Sequence, residues 1–289
     1  MLFIPHKHLY ISGTSYISAD EPDYKEVITD ANSRRRMGRL LKMAVWCGLK
    51  SLDGVPSERV AGIITSTGAG FMKDTISFGS SIFDREETLL NPSPFMQSTF
   101  NTASGYIALI RKIHAYNTTY VQRADGFAAS VVDAAMLLDD AGEGNVALVG
   151  AFDEVTPEVD VIRQRLGLYR VGDGFLPLGE GAAAFLLSAE SSSRSLNGTK
   201  DGNTALRFCG LANLSNLPEC AENPFAELFG INASVNVISC ADHVESLGAF
   251  RSLLPVLLCK LISEQQIPDG YTAIVDDVNE DGVIILLHK

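Results

Sequence analysis

Residues 145–154, NVALVGAFDE, and 172–187, GDGFLPLGEGAAAFLL, decide the fold. Each holds a short apolar run, at 146–150 and 183–187, bounded by glycine-rich turns; such a run reads as a buried strand. Further strands are expected at 61–65, 119–122, 273–275 and 283–287, where β-branched residues cluster. Between them, apolar residues recur at helical spacing over 33–52, 102–115, 127–139, 224–229 and 247–263, the last with Pro255 as a candidate kink. Strands alternating with helices imply an α/β fold with a largely parallel sheet.

The 289 residues are 46% hydrophobic, enough to bury a full core in one large domain or two fused halves. A net charge of -12 disfavours nucleic acid, whose phosphates need clustered Lys and Arg. The one basic run, SRRRMGRLLK at 33–42, spreads its cations around a helix; it reads as a solvated face and is also the one candidate dock for an acidic partner. No stretch reaches the ~18 apolar residues of a membrane helix, and MLFIPHKHLYISG at 1–13 lacks the ordered regions of a signal peptide, so a cytoplasmic location is expected. The five cysteines are scattered without CxxC spacing, which points to reduced, buried thiols and to no metal or cofactor. The polar stretch SSSRSLNGTKDGN at 191–203 is expected to be a loop separating an N-terminal part, 1–190, from a C-terminal part, 204–289.

Four segments, taken in order, resemble the β-ketoacyl synthase family. ITSTGAGFMKD at 64–74 is similar to the glycine-rich stretch ahead of that family's active-site segment. NPSPFMQSTFNTASGYIAL at 91–109 is similar to the segment in which ketosynthases place a cysteine at the start of a buried helix. With the following YNTTYV at 116–121 it is especially similar to a bacterial branch linked to aryl-polyene and related pigment lipids, although Phe100 stands where that branch usually has His. The motifs at 145–154 and 172–187 resemble the strand-and-turn core that closes the family's first half, where the glycines and Glu180 serve structure. VISCADHVESLGAFRSLLPVLL at 237–258 is similar to the segment that carries a catalytic histidine, and His243 falls at that histidine.

The resemblance implies a thiolase-like five-layer α/β/α/β/α fold, with the 102–115 helix between two sheets and a shortened C-terminal half. It puts Thr102 at the nucleophile position, where a helix N-terminus would stabilise a thiolate. A hydroxyl there needs an adjacent base, and none is close in sequence, so Thr102 reads better as a helix N-cap. Residues 203–236 hold no histidine where the family carries its other one, as though a helix and strand were missing after Asn213, and NEDG at 279–282 replaces a glycine–phenylalanine turn. The expectation is a non-condensing, chain-length-factor-like partner of an active ketosynthase that works with an acyl carrier protein. Its dimer edge is placed at 119–122. The alternatives are an acyltransferase, decarboxylase or thioester hydrolase with a rebuilt site around His243, and a degenerate structural homodimer.

Overall fold

In the computed structural model the described residues are 1–122, 125–189, 206–218, 221–280 and 282–289. The expected loop at 191–203 lies outside them. The N-terminal elements are β1 (Leu2–Phe3), β2 (Leu9–Ile17), α1 (Ala31–Arg36), α2 (Arg39–Ser51), β3 (Val60–Ser66), α3 (Met72–Asp84), α4 (Pro92–Ser98), α5 (Thr102–Arg111) and β4 (Tyr116–Tyr120). They continue with α6 (Asp125–Asp140), β5 (Val146–Asp153), α7 (Pro157–Leu166), β6 (Arg170–Val171), β7 (Gly174–Phe175) and β8 (Gly181–Ser188). The C-terminal elements are β9 (Leu206–Asn213), α8 (Pro224–Phe229), β10 (Val235–Ser239), α9 (Val244–Leu247), α10 (Leu253–Ser263), β11 (Tyr271–Val275) and β12 (Val283–His288).

Local chemistry sets many of these ends. Asn91, Thr156 and Asn223 each cap a helix that has Pro in its first turn, and Gly167 and Gly230 close α7 and α8 in the left-handed conformation. The expected 33–52 helix is broken at Met37 and Gly38 into α1 and α2. Pro255 sits in the first turn of α10, where its missing N–H costs no helical bond, so it starts the helix rather than kinking it. The expected 119–122 strand lies earlier, at Tyr116–Tyr120.

One ten-stranded sheet runs β10-β11-β12-β9-β2-β8-β5-β3-β4, with β1 added on β9. Every residue of β5 and β8 is buried, as expected of strands covered on both faces. The order conceals a duplication. From β2 outward, the pairings are antiparallel to β8, antiparallel to β5 and parallel to β3; from β9 outward, they are antiparallel to β12, antiparallel to β11 and parallel to β10. The N-terminal half adds a fifth strand, β4, in parallel beside β3, and the C-terminal half has no counterpart among the described residues. Among the described residues the C-terminal half is thus one strand position shorter than the N-terminal half.

Alternate residues of each strand feed different cores. Ile63, Leu148, Ala184 and Leu186 pack with α2 and α5 on the outer face of the N-terminal strands. Ile64, Val149, Phe185 and Leu187 share a second core with α6, α10 and residues Leu211, Ile274 and Ile285 of the C-terminal strands. Ala212, Ala273 and Ile284 pack beneath α8. The layers are thus α2 and α5, N-terminal strands, α6 and α10, C-terminal strands, and α8. The two groups of strands join where β2 meets β9 over Leu9–Ile11. The helix enclosed between the strands is α6, and the expectation for 102–115 is corrected: α5 is an outer helix, with Leu109 78% and Ile110 41% exposed. Among the described residues no helix is long and apolar enough to cross a membrane.

Small residues let α6 fit between strands, and Ala128 and Ala134 are fully buried. Ala134→Leu should overpack this layer and cost about 1–3 kcal/mol in urea unfolding. Met136→Leu on the exposed side of the same helix should be close to neutral, and equal stability of both variants would place α6 outside the middle layer.

Candidate functional site

The loop that follows β3 and the last residue of β5 meet around one carboxylate. Asp153 Oδ1 accepts hydrogen bonds from Thr67 Oγ1 at 3.1 Å, Gly68 N at 2.9 Å and Ala69 N at 3.1 Å. Its Oδ2 accepts from Ser252 Oγ at 2.5 Å, across the boundary between the halves at the start of α10. Complete burial pushes the Asp153 pKa up, and the four donors pull in the opposite direction. Gly70 turns the loop with a φ of +69° and donates to Thr67 Oγ1 at 2.8 Å. A Cβ on Gly70 would lie 2.4 Å from the Phe100 ring, so glycine is required there on both counts.

Side chains fill the space beside this node. A Cβ on Gly68 would lie 2.4 Å from Arg251 Cγ, and the Arg251 guanidinium sits 5.9 Å from the Tyr169 ring centroid. Tyr169 donates its hydroxyl to Asn279 Oδ1 at 2.8 Å, and burial raises its pKa. Asn279 Nδ2 donates to Asp276 Oδ2 at 2.8 Å and to the Phe250 carbonyl at 3.2 Å. Asn279 is thereby a structural clasp: it is buried and holds the end of β11, Tyr169 and the entry to α10 together. A cavity lined by Ala44, Gly48, Thr65, Ala103 and Ile107 lies between α2, α5 and the sheet, with room for about one water. Ligand pockets are typically about 300–1,000 Å³.

The two residues singled out from sequence are not brought together. Thr102 opens α5 on the outer face of the N-terminal half, shares a 2.7 Å hydrogen bond with Thr99 Oγ1 and donates to the Met96 carbonyl at 3.0 Å. No base reaches it among the described residues. Asn101, not Thr102, occupies the N-cap, and it makes no side-chain cap bond. His243 ends a short 3-10 turn after β10, at the far end of the sheet order from β4. Its backbone N–H donates to the Cys240 carbonyl, and its half-buried imidazole has no hydrogen-bond partner among the described residues.

The assignment of Thr102 to the nucleophile position is accordingly corrected by the layer order. The resemblance requires a buried helix, the buried helix that follows a strand in the N-terminal half is α6, and the residues leading into it are VQRADG at 121–126. They include no cysteine, serine or threonine. The sequence signal for this helix is the alanine-rich apolar run at 127–139, whereas the family likeness of 91–109 falls on the outer helix α5.

Among the described residues strand β4 forms the edge of the sheet and pairs only with β3. Its side chains are held in place: Tyr116 and Tyr120 both donate to Asp133 Oδ2, at 3.0 and 3.1 Å, and burial beside that carboxylate raises the Tyr120 pKa to about 12. On the other face Thr119 Oγ1 lies 2.8 Å from Thr65 Oγ1 and 3.3 Å from Ser104 Oγ, and Asn117 Nδ2 donates to the Ser104 carbonyl. Exposed apolar side chains surround this edge in sequence, among them Leu109, Ile110, Tyr116, Val121 and Met136. The helices α3 and α4 present Phe83, Phe95 and Met96 to solvent.

Removing the Asp153 carboxylate orphans four donors, so Asp153→Ala should destabilise the chain by on the order of 3 kcal/mol. Asp153→Asn keeps an oxygen for the loop donors and should lose less than half as much. Because the folded pKa of Asp153 is raised, its contribution is full below the ordinary carboxylate pKa and falls as pH rises through the folded value. Wild type should therefore gain on Asp153→Asn as the pH is lowered. Urea melts at several pH values check both points, and a wild-type-like Asp153→Ala would show that the node does not tie the halves together.

The sequence model of the β-ketoacyl synthase N-terminal domain matches residues 14–172, more than half of the chain. No curated protein matches the sequence. Solved structures share the fold at low identity. One, described as a type II polyketide synthase acyl-carrier protein in complex with its ketosynthase bound to the hexaketide, aligns with a TM-score of 0.70 and 16% identity, covering 98% of this chain and 99% of that one. The ishigamide ketosynthase/chain length factor aligns with a TM-score of 0.68 and 13% identity, over 97% of this chain and 98% of that one. A ketosynthase in complex with its chain length factor from Xenorhabdus doucetiae aligns with a TM-score of 0.56 and 13% identity, over 98% of this chain and 99% of that one. With its layered fold, duplicated strand order and matched N-terminal domain, the chain belongs to the β-ketoacyl synthase family.

Proposed function

We propose that this chain is a non-condensing ketosynthase-like subunit that pairs with an active ketosynthase in acyl-carrier-dependent fatty-acid or polyketide synthesis, in the manner of a chain length factor. The observation that carries this reading is the sequence VQRADG leading into the enclosed helix α6, where condensation needs a thiolate to hold the growing chain. The space beside the Asp153 node is occupied by Arg251, Tyr169 and Asn279, and Thr102 has no base, so the readings with a rebuilt active site lack a catalytic constellation.

The partner surface in this reading is the β4 edge. Its unpaired backbone groups and the apolar side chains around it favour a chain that pairs with them. The solved complexes of a ketosynthase with its chain length factor provide the precedent for such a pair. The carrier protein is assigned to α1. Arg35 and Arg36 are exposed there on an otherwise acidic chain, and Arg34 is held by the Ile28 carbonyl, so the helix presents its cations in a fixed place to an acidic carrier.

Affinity purification of the tagged chain from its native cells should recover a cysteine-bearing ketosynthase, through an interface above about 1,200 Å². Val121→Asp puts a charge at the edge and should abolish that recovery while leaving thermal stability unchanged; recovery of no ketosynthase by the wild type overturns the pairing. Reversing the basic helix with Arg35→Glu and Arg36→Glu should weaken carrier-protein binding at least tenfold and flatten its dependence on salt. Unchanged binding by this double variant would move the dock elsewhere.

A further inference from the structure

The duplicated strand order exposes a second edge. In the N-terminal half β3 is flanked by β5 and by β4; its counterpart β10 pairs with β11 and, among the described residues, with nothing on its other side. The strand reads VNVIS. It has no charge, proline or bulge to block pairing, and Val237 at its centre is 51% exposed. Asn236 is turned back toward its own sheet, donating to the carbonyls of Asp269 and Tyr271.

We infer that the β10 edge joins a second copy of this chain, strand against antiparallel strand, about a two-fold axis through Val237. The charge around the strand selects this arrangement. Its C-terminal end is acidic, with Asp242, Glu245 and Asp277 exposed, whereas its N-terminal end carries the uncharged Asn232, Ala233 and Ser234 and, beside Asn236, an Asp269 whose carboxylate is balanced by Lys289 at 3.4 Å. Antiparallel pairing sets the acidic end of each copy beside the neutral end of the other. The two acidic ends are then separated by roughly 17 Å, the length of a five-residue strand, which exceeds the Debye length of about 8 Å at physiological salt. The same symmetry places Val235 opposite Ser239, Asn236 opposite Ile238 and Val237 opposite its own equivalent, so the exposed apolar side chain is covered by an identical one. This surface is separate from β4 and does not rest on the proposed ketosynthase pairing. With both edges occupied, the assembly contains two copies of this chain and two of its partner.

Sedimentation equilibrium of the purified chain at tens of micromolar, with and without Val237→Lys, tests the inference, and Val237→Cys provides a second reading. Equivalent residues facing each other across antiparallel strands are close enough for a disulfide. The wild type should sediment as a dimer and Val237→Lys as a monomer with an unchanged melting temperature. Val237→Cys should give a covalent dimer on mild oxidation where the wild type, with its native cysteines, gives none. A monomeric wild type, a dimer that survives Val237→Lys, or Val237→Cys that fails to cross-link would each overturn it; a dimer lost only in Val121→Asp would locate self-association at β4 instead.

Discussion

Everything near the middle of this molecule is arranged around the buried carboxylate of Asp153. It ends β5, gathers the N–H groups of the loop after β3, and takes a hydroxyl hydrogen bond from Ser252 at the start of α10. A buried carboxylate left with fewer donors would be unstable, so the loop and the C-terminal half must both be in place before the carboxylate is satisfied. That requirement couples the two halves more specifically than apolar packing, which tolerates sliding. It also fixes Gly68 against Arg251 and thereby Arg251 over Tyr169.

Much of the fold was legible because the central strands are buried on both faces. The apolar runs at 146–150 and 183–187 read as buried strands, and they lie in β5 and β8. The helix at 224–229 was also readable from its Pro and Gly ends. The duplication was not. The two halves share strand order and direction without a shared motif, since the pattern is carried by backbone pairing, to which many apolar side chains are equally suited. The break between α1 and α2 was masked by a helical pattern that continues through Met37 and Gly38.

The site was less legible than the fold, for a physical reason. A helix packed on one side of a sheet and a helix enclosed between two groups of strands can both be rich in small and apolar residues. What separates α5 from α6 is whether the second face is covered. Leu109 and Ile110 on α5 face solvent, whereas α6 buries Phe127, Ala128, Val131 and Leu138 together with strands from both halves. Such coverage depends on residues remote in sequence. His243 ends the turn that follows β10, and a histidine contributes chemistry only through its neighbours, which the tertiary structure fixes.

The fold of the β-ketoacyl synthase family persists here, with Arg251, Tyr169 and Asn279 beside the node and VQRADG, which holds no cysteine, serine or threonine, leading into the enclosed helix; on the reading proposed above the chain carries no acyl group of its own. Intact-mass spectrometry of the purified chain after incubation with acyl-carrier and acyl-CoA donors measures this directly. The account predicts the unmodified mass alone. A stoichiometric acyl adduct on any residue would contradict it.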